Sequence, residues 1–292
     1  MENPVAACGV LSKMPTAAAT EPAHYTLRVG EQHLELDNAL GARVRIEPTG
    51  RIFCLHCGRA TKKSFAQGFC YPCFKGLARC DLCIVKPETC HYHLGTCREP
   101  EWGETHCFAP HVVYLANASG AKVGITKPSQ IPTRWIDQGA SQALIIARVA
   151  TRQQAGFVEA LLRERVSDRT NWQKMLKGAP APVDLPALRD ELFEQLAEKL
   201  EALKAFAGPE AITLVDEPVV TLSFPIERYP TKVTTWNLDK HAVVDGRLEG
   251  IKGQYLLLDS GVLNVRKFGG YEVNVRIEPE GTAVAETGDL FT

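Results

Sequence analysis

Hydrophobic and polar residues alternate in two distant parts of the chain, the first fifty residues and the stretch after residue 210. In residues 24–29, 31–37 and 42–47, apolar side chains fall at every second position, which is typical of half-buried strands. Residues 254–258, 262–265 and 271–277 show short apolar strands separated by glycine-containing turns. A few N-terminal strands do not form a stable sheet alone. We therefore expect residues 1–50 to join residues 211–280 in one small β-barrel-like module.

Residues 111–178 have a different pattern. Two apolar strand segments, 111–116 and 121–126, flank a turn, which indicates a hairpin. A short helix is predicted at 133–138, where Pro132 precedes it and Gly139 ends it. An apolar strand at 141–150 and a helix that Thr151 can cap complete the order ββαβα.

A leucine stripe follows at helical spacing. It predicts an amphipathic helix over residues 184–207, formed by Leu185, Leu188, Leu192, Leu196, Leu200 and Leu203. Its other positions are strongly acidic, which argues against direct contact with nucleic acid. The helix is expected to be a packing strut, or alternatively a dimer contact.

Composition is ordinary for a globular protein, and the mixture of predicted strands and helices indicates an α+β fold. The chain has 292 residues, of which 45% are hydrophobic and 23% charged, so we expect two or three domains. No apolar run approaches the ~20 residues that a membrane span needs. The first residues lack the basic start and apolar core of a signal peptide. We expect a cytoplasmic protein without a membrane partner.

Nine of the ten cysteines lie between residues 54 and 107. Cys54 and Cys57 form one Cys-x2-Cys pair, and Cys70 and Cys73 form another after twelve intervening residues. This spacing is typical of zinc-ribbon-like modules, in which four thiolates complete a tetrahedron and leave no open coordination position. A disulfide framework is the alternative, but such frameworks are usual in short secreted domains. We therefore predict a structural Zn²⁺ site within residues 51–110.

A second structural Zn²⁺ site is predicted further along the same region. Cys80 and Cys83 form a third Cys-x2-Cys pair, and the preferred remaining ligands are Cys90 and Cys97. Two rivals for those positions stay open, His93 and Cys107. Enough thiols and imidazoles remain for a third ion.

Charge is unevenly distributed, although the formal net charge is only −1. Residues 51–80 contain six basic residues and no acidic one. Basic segments beside zinc sites favour contacts with nucleic-acid phosphates. The candidate contacts are Arg59, Lys62, Lys63, Lys75, Arg79 and Lys127. Alternatively, these cations offset the negative charge of metal-bound thiolates.

The ββαβα order carries four residues that could serve chemistry. Val112-Val113-Tyr114 and Lys122-Val123-Gly124 lie on the two hairpin strands, Arg134 on the first helix and Glu159 on the second. The combination resembles the GIY-YIG nuclease superfamily over residues 112–168, and most of all its phage-type branch, where lysine commonly replaces the second tyrosine. The resemblance implies metal-dependent cleavage of phosphodiesters.

The same resemblance implies residue roles. Tyr114 would be the general base, Arg134 would hold the phosphate, and Glu159 would bind Mg²⁺ or Mn²⁺. Lys122 stands where the superfamily has a tyrosine, and we expect this difference to affect cleavage more than binding. Each residue also has a structural reading: Tyr114 as half-buried sheet, Arg134 as a partner of Trp135 or Asp137, and Glu159 as a partner of Arg134 or Arg163.

Motifs spread along nearly the whole chain resemble a bacterial family of unknown function. They are Cys-Asp-Leu-Cys, Gly-Thr-Cys-Arg-Glu-Pro, Arg-Trp-Ile-Asp-Gln-Gly-Ala and Gly-Ile-Lys-Gly-Gln-Tyr. That resemblance implies no activity. Two hypotheses follow from the sequence: a zinc-containing protein that binds and cleaves DNA or RNA, or a non-catalytic scaffold for protein assembly with a degenerate GIY-YIG-like domain.

Overall fold

The computed structural model describes residues 5–17, 21–208 and 210–279. Parts of the predicted terminal β regions, including residues 1–4, 18–20 and 280, lie outside these ranges. The strands are β1 (Val5–Val10), β2 (Thr16–Ala17), β3 (His24–Val29), β4 (Gln32–Glu35), β5 (Arg43–Ile52), β6 (His111–Asn117), β7 (Ala121–Thr126), β8 (Gln142–Val149), β9 (Ile212–Leu214), β10 (Val220–Thr221), β11 (Val244–Lys252), β12 (Tyr255–Leu258), β13 (Gly261–Asn264) and β14 (Tyr271–Glu278). The helices are α1 (Tyr71–Gly76), α2 (Pro100–His106), α3 (Thr133–Asp137), α4 (Arg152–Leu162), α5 (Trp172–Lys177), α6 (Leu185–Gln195) and α7 (Ala197–Ala207). This mixture of helices and strands is consistent with the predicted α+β class.

N-terminal and C-terminal strands share one antiparallel sheet with the order β1-β14-β5-β11-β12-β13. Val44 of β5 lies opposite Gly246 of β11 on one side and Ile277 of β14 on the other. Val44 and Ile46 are buried, and the residues between them are exposed, so the period of two fixes the register. Among the described strands no ladder joins β1 to β13, and the barrel-like closure stays a prediction.

The middle of the chain forms a second sheet with the order β10-β8-β6-β7, and β9 also pairs with β8. Its elements β6, β7, α3, β8 and α4 follow one another in the order ββαβα. Strand β6 is buried along its whole length because both of its faces are covered. Val112 and Tyr114 belong to the core shared with the six-stranded sheet, whereas Val113 and Leu115 belong to the core beneath α4, α6 and α7.

The predicted helix at 184–207 is in fact two helices, α6 and α7. Asp184 caps α6 by accepting a hydrogen bond from the backbone N–H of Ala187 at 3.0 Å. Leu196 then leaves the helical conformation, with φ −113° and ψ 12°, while its side chain stays buried. The leucine stripe continues through this break, so periodicity alone could not reveal it. In the described part of the chain, no helix is long and apolar enough to cross a bilayer.

Two buried polar residues of the six-stranded sheet tie it to the second sheet. Lys252 is 1% exposed, and its ammonium donates to the carbonyls of Met175 at 3.0 Å and Gly178 at 3.1 Å. The Gln254 amide donates to Asp137 at the end of α3, at 2.9 Å. Lys252 therefore holds the end of α5, and Gln254 holds the end of α3, the helix that carries Arg134.

Candidate metal centres and catalytic site

The first cysteine segment (residues 54–73) brings four thiols together. The Sγ atoms of Cys54, Cys57, Cys70 and Cys73 all lie within 4.8 Å of one another, and those of Cys57 and Cys70 are 3.8 Å apart. Cys54 follows β5 directly, and Cys70 is the residue before α1. This group could hold one metal ion, as its spacing in the sequence predicts.

The electrostatics of this group fit a cation. Burial disfavours the thiolate of Cys54, but backbone N–H groups of Cys57, Cys70 and His56 donate to it and lower its pKa to about 6. Burial and hydrogen bonds with the other three thiols raise the pKa of Cys73. The four thiols therefore do not all ionise together unless a positive charge lies between them. Zn²⁺ supplies that charge and matches an all-sulfur ligand set.

The first cysteine segment docks on the six-stranded sheet. The Ser64 hydroxyl donates to the carbonyl of Gly269 at 2.8 Å, and a Cβ at Gly269 would lie 2.6 Å from the carbonyl oxygen of Gln67. Phe53 donates its N–H to Gly270 at 2.7 Å. The first cysteine segment thus packs on the loop after β13, and glycine is required at position 269, where the backbones of the loop and the segment meet.

The second cysteine segment (residues 80–107) is built from 3₁₀ turns and α2, and docks on α4 instead. Arg152 donates to the carbonyl of Ile84 at 2.6 Å, and Gln153 donates to that of Cys90 at 3.3 Å. A Cβ at Gly156 would lie 2.6 Å from Pro87, so the turn packs directly on the helix surface. The segment therefore determines how α4 sits on the sheet.

The predicted ligands of the second cysteine segment do not form a closed four-thiol group. Cys83, Cys90 and Cys107 line one cavity, whereas Cys80 does not. The second set of candidate ligand atoms within 4.8 Å of one another is Asp81, Cys83 and His91. Asp81 and His91 were not among the predicted ligands, and His93, which was, is absent from that set. The order of cysteines along the chain gives no signal for either carboxylate or imidazole.

The four candidate catalytic residues, Tyr114, Lys122, Arg134 and Glu159, lie within electrostatic reach of one another. Tyr114 lies opposite Gly124 in the β6–β7 ladder, and a Cβ at Gly124 would lie 2.7 Å from the phenol oxygen. The charge of Arg134 acts on both Tyr114 and Lys122, and so does that of Glu159. The fold therefore brings one candidate residue from each of β6, β7, α3 and α4 to the same part of the molecule.

Burial dominates the protonation of this group. Burial, together with the charge of Arg134, lowers the pKa of Lys122 to about 8, against the carboxylates of Glu159 and Asp168. Burial raises the pKa of Tyr114, and Arg134 opposes this by its charge and a hydrogen bond. The Tyr114 hydroxyl itself donates to Gln138 at 3.0 Å. Tyr114 is 0% and Lys122 only 4% exposed.

Glu159 stands apart from the ion pairs around it. Arg163 pairs with Glu88 at 2.6 Å and with Asp168 at 3.3 Å, and neither bond involves Glu159. Across the described ranges, no basic group lies within ion-pair distance of the Glu159 carboxylate. Burial raises its pKa to about 7, against Arg163, while Asp168 and Glu88 raise it further. A half-buried carboxylate without a partner is a candidate cation ligand.

Arg134 also lacks the alternative partner expected from the sequence. Asp137 pairs with Lys13 at 2.5 Å and accepts from Gln254. Within the residues that the structure describes, Arg134 has no ion pair with an acid, so its guanidinium retains donors for an anion.

Five of the six candidate nucleic-acid contacts are exposed, and Lys127 is half-buried. Lys63 lies over the ring of Phe65 at 5.3 Å, and Arg79 over that of Trp102 at 5.9 Å. Lys127 instead donates to the carbonyl of Thr105 at 3.5 Å. In the described chain, none of the six is in an ion pair, so their charges are not neutralised by neighbouring acids.

No curated protein and no solved structure is significantly similar to this chain. A family model described as "Protein of unknown function (DUF2797)" matches residues 41–273. The matched range begins before β5 and ends within β14, so it includes both cysteine segments and the candidate catalytic residues. The chain belongs to the DUF2797 family.

Proposed function

We propose that this protein is a zinc-containing nucleic-acid-binding protein whose GIY-YIG-like domain, residues 111–178, cleaves phosphodiester bonds with a divalent metal ion. The observation that carries the proposal is the half-buried carboxylate of Glu159 beside two cations, Lys122 and Arg134; among the described residues none of the three has an ion-pair partner. Metal-dependent hydrolysis of a phosphodiester requires a ligand for the metal ion and positive charge beside the phosphate. Glu159 could supply the first, and Lys122 and Arg134 the second.

The residues of the chain divide this work. Glu159 would hold Mg²⁺ or Mn²⁺, which when bound polarises the phosphate and lowers the pKa of water. The planar guanidinium of Arg134 can contact two phosphate oxygens at once. Lys122 places a charge on the same side, and its neutral fraction can accept a proton near neutral pH. Tyr114 orients the group through Gln138 and Arg134.

The unpaired cations of the first cysteine segment support binding. Arg59, Lys62 and Lys63 of this segment and Lys75 of α1 are exposed on a module that a bound metal ion would hold rigid. Tyr71, which is 56% exposed, stands among them and can stack on a base. Affinity of this kind falls steeply with salt.

A specific observation favours the alternative, a non-catalytic scaffold. Tyr114 and Lys122 are almost wholly buried, whereas a general base must reach a water molecule at the phosphate. In that case the same residues stabilise the interface between the two sheets, and the zinc modules serve protein assembly.

The test is a cleavage and binding assay of the pure full-length protein. It uses mixed single- and double-stranded DNA and RNA with Mg²⁺ or Mn²⁺, beside Glu159→Gln. We expect the substitution to reduce cleavage by about 100-fold or more and to leave binding intact, because it removes one metal ligand. Glu164→Gln is the matched control, since Glu164 lies just beyond α4, pairs with Lys199 at 2.5 Å and should not affect the rate.

Each outcome decides between the two functions. Cleavage that survives Glu159→Gln would contradict the assigned metal ligand. Salt-sensitive binding without cleavage would leave a binding module only, and neither binding nor cleavage by zinc-loaded protein would establish the scaffold.

A further inference from the structure

The cavity between the second cysteine segment and α4 is built for a small ion. Cys83, Cys90 and Cys107 line it from three separate turns, and Arg152 and Gln153 close it from the helix side. Its volume of about 20 Å³ has room for roughly one water-sized particle. Three thiols from separate turns around so small a space can act as ligands, although their sulfurs do not all lie within 4.8 Å of one another and would have to draw together on the ion.

Cys97 belongs to the same group. Cys107 donates its N–H to the carbonyl of Gly103 at 2.7 Å, at the end of α2. A Cβ at Gly103 would lie 3.5 Å from the Cys97 sulfur, so α2 supports this side chain from behind. Cys80 has a different environment, in which the charges of Arg79, Arg98 and Cys54 act on it.

We propose that Cys83, Cys90, Cys97 and Cys107 bind a second Zn²⁺ ion, which fastens the second cysteine segment to α4. This ligand set replaces Cys80 of the sequence-based set with Cys107. It is independent of the proposed cleavage reaction, since none of the four thiols belongs to the candidate catalytic residues.

Arg152 gives the site its charge balance. A zinc ion with four thiolates carries a net charge of −2, and burying it requires positive charge nearby. The guanidinium of Arg152 lines the cavity, and its buried Nε has no hydrogen-bond partner among the described residues. A metal-bound thiolate would provide the missing acceptor.

Asp81 and His91, which also lie near Cys83, are better placed as supports than as ligands. Asp81 already accepts from the Arg98 guanidinium at 2.7 Å and from the N–H of Leu82 at 2.6 Å. The His91 ring is hydrogen-bonded through Nδ1 to Thr96 at 2.7 Å, and its Nε2 lies 3.5 Å from the Asp81 carboxylate, so both ring nitrogens face partners in the protein. Ligation by Asp81 would require its pair with Arg98 to break.

The test counts metal in the full-length protein. Native mass spectrometry and elemental analysis should give about two equivalents of zinc per chain, and about one after Cys90→Ser or Cys107→Ser. Cys80→Ser is the matched control and should keep about two. One equivalent in the unmodified protein, loss of zinc from Cys80→Ser, or full zinc in Cys107→Ser would each overturn the assignment, as would loss of zinc from His91→Ala with none from Cys90→Ser.

A second measurement needs no variant and so does not depend on how a substitution affects folding. Iodoacetamide is added to the zinc-loaded protein, and modified cysteines are mapped by mass spectrometry. We expect Cys8 and Cys80 to react while Cys83, Cys90, Cys97 and Cys107 react only after a chelator is added. Rapid modification of Cys107 before chelation would disprove its role as a ligand.

Discussion

The two cysteine segments are attached to different parts of the molecule. The first follows β5 without a break and rests on the loop after β13, so its metal group belongs to the six-stranded sheet. The second rests on α4 and so belongs to the domain that carries Glu159. One segment therefore stabilises a sheet and its basic surface, while the other positions a helix of the candidate catalytic site.

The two segments also differ in which of their cysteines lie together. In the first, two Cys-x2-Cys pairs each supply both thiols to one group. In the second, the pair Cys80 and Cys83 is divided, because only Cys83 faces the cavity on α4. Local spacing is therefore a reliable guide to ligands only where a single turn holds both sulfurs.

The largest effect is expected from the first cysteine segment. Cys70→Ser removes a buried thiol from the four-sulfur group, so the metal ion and the order of residues 54–73 should be lost. We expect a loss of at least about 3 kcal/mol of unfolding free energy, and a melting temperature lower by roughly 10 °C. Thermal unfolding with zinc analysis measures both. The control is Cys8→Ser, at an exposed cysteine outside the segment; retention of zinc by Cys70→Ser would contradict the ligand assignment.

A smaller effect is expected where the second cysteine segment meets α4. Gly156→Ala puts a Cβ 2.6 Å from both Pro87 and the backbone nitrogen of Glu88. The clash costs about 1–3 kcal/mol, which outweighs the gain of about 1 kcal/mol in helix propensity. We expect lower thermal stability and faster alkylation of Cys83, as the turn moves off the helix.

Gly103→Ala in α2 is the matched substitution, because its Cβ would meet Cys97 and Tyr92 at 3.5 Å, an ordinary contact. It should be neutral or slightly stabilising. Equal effects of the two alanine variants would show that the segment does not pack on α4 as described.

The effect that is smallest at neutral pH concerns acid sensitivity at the junction between the second cysteine segment and β6. Burial lowers the pKa of His111 to about 4, and Arg152 and Lys127 add to this, against a hydrogen bond to Ala109. In the unfolded chain histidine titrates near pH 6.5. The unfolded state thus binds the proton first, and stability present above about pH 6.5 is lost as the pH falls towards 4.

His111→Asn retains a donor for Ala109 but does not titrate. Its unfolding free energy should therefore fall less between pH 6.5 and 4 than that of the unmodified protein, by on the order of 2 kcal/mol. Denaturant unfolding of both proteins at several pH values measures this difference. Loss of zinc in acid is common to both proteins and therefore cancels. Parallel pH profiles would show that folding does not lower the pKa of His111.

Several features of the fold could be predicted because local chemistry determines them. Gly139 ends α3 with φ 67°, and Thr151 begins α4 with a capping box. The four-thiol group of residues 54–73 follows from its spacing alone. Pairing of the terminal strands could be anticipated because alternating segments at the two ends each lacked enough partners.

Other features depend on contacts that no local pattern encodes. The near-complete burial of Lys122 and Lys252 results from packing between sheets, whereas lysine is usually exposed. Asp81 and His91 lie beside Cys83 because the successive 3₁₀ turns of residues 78–94 bring distant positions together. The break at Leu196 depends on how α6 and α7 share one core, not on their leucines.

The position of β5 has a consequence for synthesis on the ribosome. Val44 pairs with Gly246 and Ile277, residues that are translated some two hundred positions later. The strand therefore waits unpaired while the chain grows, whereas residues 54–73 can capture their metal ion as soon as they emerge. The first ordered part of the nascent protein would then be a metal-bound module of about twenty residues, next to a strand whose edges are still unpaired. Those edges are where a chaperone would act.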